Sequence, residues 1–92
     1  MIKETTYKAN FVIKFNPDNN VRTGFMKTKT EKFYLGEDGI LSIVPLGTSD
    51  SSFCGVFEDG ALTNIPPEYL ERVTRRLEKL TYMFLVLKGK AN

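Results

Sequence analysis

The chain contains no histidine. Without an imidazole there is no Ser-His-Asp triad, no Cys-His dyad and no His-ligated zinc. The single cysteine, Cys54, lies between Phe53 and Gly55, with no basic neighbour in sequence to stabilise a thiolate. Its expected place is a buried strand, and one thiol cannot build a zinc site. The acidic pairs Glu37-Asp38 and Glu58-Asp59 each run into a glycine. They read as solvated turns, not as acids held in the apolar pocket that general acid catalysis needs. Asp18 and Asn20 imitate the first ligands of a calcium loop, but the glycine and bidentate glutamate that must follow are missing. The stretch Gly47 to Gly55 is hydroxyl-rich and bounded by glycines, yet it lacks the lysine with which a P-loop meets phosphate. The residues thus point away from an enzyme, and neither metal nor cofactor is expected.

Two constellations remain. Lys27, Lys29 and Lys32 lie close in sequence to Phe25, Phe33 and Tyr34, with Lys8 and Lys14 on the preceding strand. Sheets that bind single-stranded nucleic acid combine phosphate-seeking lysines with aromatic stacking platforms, although no RNP-type motif is present. The second constellation is C-terminal. Leu70, Val73, Leu77, Leu80, Phe84 and Leu87 follow a helical spacing, and Met83, Leu85 and Val86 make the last turns apolar nearly all round. One face of a small sheet cannot cover such a helix end, so Met83, Phe84, Leu85 and Leu87 are the expected protein interface, toward a partner groove or a second copy. The leading expectation is a small protein-interaction or regulatory module capable of self-association. The alternative is a single-stranded nucleic-acid binder acting through Lys27, Lys29, Lys32, Phe25 and Tyr34.

Positioning these residues requires strands first and a helix last. Tyr7 to Phe15 alternates, with Tyr7, Ala9, Phe11, Ile13 and Phe15 on one face, and reads as a half-buried strand. Asn16-Pro17-Asp18-Asn19-Asn20 breaks it, and Val21 to Thr30 forms a second strand, weakened at Gly24. Asp38-Gly39 and Asp59-Gly60, each between apolar runs, predict hairpins with positive φ at the glycines. The segments Glu37–Pro45 and Glu58–Pro66 agree at five of nine positions, either an internal duplication or two independent uses of the same turn chemistry. Gly47 to Ser52 reads as a surface loop.

From Pro66 onward the pattern is helical. Leu70, Val73, Leu77 and Leu80 are expected to face the sheet, Arg72, Arg75, Arg76 and Lys79 to face water, and Gly89 to end the helix. Residues 81–88 are also compatible with a final strand, but no turn residue separates them from the helix, so one helix is preferred. The fold class is therefore α+β: a single domain, residues 1–92, with an antiparallel meander of about five strands packed on one C-terminal helix.

Charge is segregated along the chain. Residues 1–32 carry seven bases against three acids, 33–67 carry five acids and no base, and 68–92 carry six bases against three acids. A distribution of this kind can steer a charged partner. The absence of disulfide-forming pairs and of a signal-like apolar run near the N-terminus, where Lys3, Glu4, Thr5, Thr6 and Lys8 intervene, leads to a cytoplasmic expectation with no membrane partner.

Overall fold

Each of the turn-forming clusters is a chain reversal in the computed structural model, which describes residues 1–7 and 11–90. The strands are β1 (Lys3–Tyr7), β2 (Phe11–Asn16), β3 (Val21–Lys27), β4 (Glu31–Gly36), β5 (Ile40–Pro45), β6 (Ser52–Glu58) and β7 (Ala61–Thr63). They form one antiparallel sheet in strict sequence order, an α+β meander completed by C-terminal helix. A 3-10 turn at Pro67–Tyr69 leads into α1 (Leu70–Arg75) and α2 (Leu77–Leu87).

The strand number is seven because two reversals carry weak sequence signals. Tyr7 and Phe11 are register partners on antiparallel strands, so the alternating run from Tyr7 to Phe15 is not one strand. Period two records which face a residue takes, not where the chain turns back. Both rings reach the core side and stack with centroids 5.0 Å apart. Lys8, Ala9 and Asn10 lie outside the described residues. The second reversal follows Lys27, where Thr28 N–H donates to the Glu31 carbonyl at 2.8 Å, so β3 stops short of Thr30.

The two Asp-Gly hairpins have positive φ at both glycines, 87° at Gly39 and 82° at Gly60. They are nevertheless different turns. Glu58 pairs directly with Ala61 around a two-residue Asp59-Gly60 loop in which Asp59 is also left-handed. The first hairpin uses three residues between Gly36 and Ile40, and Gly39 N–H donates to the Gly36 carbonyl at 3.0 Å. A Cβ on Gly39 would stand 2.8 Å from the Phe57 carbonyl of the neighbouring strand.

The helix covers one face of the sheet. Phe11, Ile13, Met26, Phe33, Leu35, Leu41, Ile43, Cys54 and Phe57 form the core with Val73, Leu80, Met83 and Leu87. A bulge on β6 makes Cys54 the unpaired residue between the Ser42–Phe53 and Leu41–Gly55 partners, and its thiol is fully buried. Residues 81–87 are helical, and the helix ends as expected at Gly89, where Gly89 N–H meets the Val86 carbonyl and Lys90 N–H the Leu85 carbonyl.

The helix differs from expectation in its break and in its roll. Arg76, at φ −113° and ψ 14°, interrupts it between α1 and α2. The buried row is Val73, Leu80, Met83 and Leu87, while Leu70 and Leu77 are 51% and 39% exposed. Gly24 explains the roll. A Cβ there would lie 2.9 Å from both Cγ and Sδ of Met83 and 3.3 Å from Leu87, so the bare backbone of β3 is the slot into which the helix seats. Phe84 closes the other flank by stacking on Phe57, centroids 4.4 Å apart.

Candidate nucleic-acid interface

The face of the sheet away from the helix is built by the alternate residues of each strand. Register partners place Thr6, Val12, Phe25, Tyr34, Ser42 and Phe53 in one row across six strands. Phe25 and Tyr34 are in contact at 5.2 Å between centroids, and Lys14 Nζ stands 5.1 Å above the Phe25 ring. Phe53 is 45% exposed. In the next row Lys27 is opposite Lys32, and Lys32 is opposite Val44. Like charges opposite one another on a sheet repel, so this pair does not come from stabilising the fold.

A depression of about 480 Å³ lies beside the row, lined by Lys32, Tyr34, Ser42, Val44 and the hydroxyl residues Thr48, Ser49 and Ser51 of the β5–β6 loop. It combines an aromatic wall, an ammonium group and a rim of hydroxyls. That set suits a stacked base with a phosphate beside it.

Of the residues singled out for nucleic acid, Phe25, Tyr34, Lys27 and Lys32 thus share the helix-free face. Lys29 is exposed in the β3–β4 turn at the end of the same strands, and Lys8 lies outside the described residues. Phe33, named with them, points the other way and is fully buried. The four residues singled out for a protein interface separate differently. Met83 and Leu87 are in the core, at 0% and 5% exposure, and present nothing to a partner. Phe84 and Leu85 are half-buried. The surplus of apolar groups at the helix end is absorbed because Gly24 lets Met83 and Leu87 sink against β3 while Phe57 takes Phe84.

Sequence spacing did not bring the helix arginines to the lysines. Strand order places the β3–β4 turn at the same end of the sheet as the start of the helix. There Arg72 Nη1 donates to Glu31 Oε1 at 2.9 Å, satisfying a carboxylate whose side chain is only 4% exposed. Arg75, Arg76 and Lys79 stand beside Lys27 and Lys29. The opposite end carries the three acidic turns, with Asp18, Glu37, Asp38, Glu58 and Asp59. Charge segregated along the chain becomes charge segregated in space.

Cys54 has no nucleophilic character. Burial, reinforced by the Glu31 carboxylate and opposed by Arg72, pushes its thiol from 9.0 up to about 12. Among the described residues no three His, Cys, Asp or Glu side chains come together, and no helix is long and apolar enough to cross a membrane. No protein-family model, curated protein or solved structure matches the chain.

Proposed function

We propose that this chain is a non-enzymatic, cytoplasmic binding module whose ligand is single-stranded nucleic acid, held on the helix-free face of the sheet. The observation that carries the reading is the Val12–Phe25–Tyr34–Ser42–Phe53 row, flanked by Lys14, Lys27 and Lys32. Aromatic groups left half-exposed on an open face have a use if bases stack on them, and each stacked base is worth about 1–3 kcal/mol. Lysines set opposite one another are relieved when a phosphate sits between them. No base edge is read by this arrangement, so binding is expected to tolerate many sequences.

The test is a titration of labelled single-stranded DNA and RNA homopolymers at low and moderate salt. The reading expects binding that weakens steeply with salt and that Tyr34→Ala and Lys32→Gln each reduce. Absence of binding to both polymers at low salt would end it.

A protein-interaction or regulatory role, with self-association, is favoured by a different observation. Leu70 and Leu77, one heptad apart, are exposed on the outward side of α1 and α2. A dimer seen by sedimentation that Leu70→Glu with Leu77→Glu dissolves would support this second reading.

A further inference from the structure

The cations at the β3–β4 turn have a role that the open face does not use. Lys27 and Lys29 on the turn, with Arg75, Arg76 and Lys79 on the helix, line a cleft of about 590 Å³ floored by Met26. No carboxylate lines it. Arg72 and Arg75, the neighbouring arginines, are already committed: Arg72 to Glu31, and Arg75 to Glu71 at 2.7 Å. Among the described residues, Lys27, Lys29, Arg76 and Lys79 make no ion pair. A cleft walled by one sign of charge focuses its field on the space between its walls.

Arg76 is the telling residue. It occupies the position between Val73 and Leu80 on the sheet-facing row, where an apolar side chain would pack, and it is half-buried. The helix breaks at it, and its guanidinium reaches the Arg72 carbonyl at 3.5 Å. An arginine placed on the inward row, with no carboxylate partner, is accounted for by an anion in the cleft. Lys27 joins the two surfaces. It pairs with Lys32 on the open face, and Lys32 lines the depression beside Tyr34. A line of cations therefore runs from the aromatic row, over the end of the sheet, to the helix.

We infer that this cleft is a phosphate site, and that it carries the backbone of a bound single strand off the open face and around the end of the sheet. The inference rests on the nucleic-acid reading and adds a second binding segment with a defined direction. Arg76 can take a phosphate through two parallel N–H donors, with Lys29 and Lys79 as point charges on either side.

The experiment compares wild type with Lys29→Gln/Lys79→Gln, both exposed positions, using homopolymers of about 4 and about 16 nucleotides, the range small sheet domains accommodate. The expected result is that the double variant binds the short strand as wild type does. For the long strand, its plot of log affinity against log salt should be shallower by about 1.4, or 0.7 for each of two phosphates released. Arg76→Gln, with folding checked by circular dichroism, should weaken long-strand binding in the same selective way. If the long strand binds and neither variant changes affinity or slope, the cleft is not a phosphate site, while the open-face reading stands. Equal losses for short and long strands would overturn the second segment, since the cleft would then belong to the first. If neither strand binds wild type, the open-face reading fails and takes the inference with it.

Discussion

The two faces of the sheet are made by the same strands yet obey different rules. On the helix side, Phe11, Phe33, Leu35, Leu41 and Ile43 are at most 2% exposed, and every neighbour is apolar or aromatic. On the open side, Phe25 and Tyr34 are half-buried beside lysines, and Phe53 is open to water. Substitutions on the first face should be read in stability, and substitutions on the second in binding.

The largest effects belong to the seat of the helix. Leu80 and Met83 are both fully buried. Leu80→Ala should cost about 2–5 kcal/mol in urea unfolding, through lost transfer energy and the cavity left behind. Met83→Glu should prevent folding of the isolated chain, because a carboxylate would enter the core without a partner. A folded monomeric Met83→Glu protein would mean that the helix does not seat at Gly24.

Gly24→Val approaches the same contact from the strand. The added Cβ meets the Met83 side chain at 2.9 Å, and Met83 is enclosed on all sides. Overpacking of this kind costs about 1–3 kcal/mol, and Met83→Ala in the same chain should return part of it. Double-variant unfolding curves would reveal the coupling.

Most of the first face was legible in the sequence, because period two and the turn residues name the strands. The seat of the helix was not. Leu70, Val73, Leu77 and Leu80 make as good a stripe as Val73, Leu80, Met83 and Leu87 when only spacing is considered. What selects between them is a missing side chain at Gly24, on another element fifty-odd residues away. The open-face aromatics and lysines were visible as neighbours in sequence, but their alignment with Ser42 and Phe53 depends on register across three hairpins. The basic cleft could not be read at all, since the β3–β4 turn and the helix start meet only through the topology.

Arg72→Ala tests the boundary between the faces. Glu31 is buried, and its carboxylate accepts from Arg72 at 2.9 Å. Arg72 itself is 43% exposed, so water screens the pair. Removing it should cost about 1–3 kcal/mol, chiefly by stranding the Glu31 charge. Glu31→Gln added to Arg72→Ala should recover much of the loss. If the double variant is no more stable than the single one, the pair matters for packing and not for charge.

A smaller effect is expected at Cys54. Cys54→Ser should cost about 1 kcal/mol at neutral pH, since a hydroxyl replaces a thiol in an apolar site. The cost has a pH dependence with a definite sign. The folded thiol keeps its proton up to about 12, whereas the unfolded thiol releases it near 9.0. The stability from holding the proton is intact below that lower value and is lost as pH rises through the interval. Serine carries no such slope, so the gap between wild type and variant should narrow as unfolding is measured at increasing pH above 9. A gap that widens would place the thiol in a more polar site than the bulge provides.

The smallest stability change should come from Phe53, and it is the sharpest test of the comparison. The ring lies at 45% exposure on the helix-free face, next to Ser42 in register. Little apolar area leaves water at this position, so Phe53→Ser should alter unfolding free energy by about 0.5 kcal/mol or less, the usual range for surface changes. If a base stacks on the ring, the same substitution should weaken single-strand binding by about 1–3 kcal/mol. Phe53 lies beyond Tyr34 in the row and carries no charge, so the salt dependence should stay unchanged while affinity falls. Loss of affinity with an altered salt slope would instead mean that Phe53 acts through the lysines. Loss of stability without loss of binding would mean that the open face is a second core surface, and that the two sides of the sheet differ less than their exposure indicates.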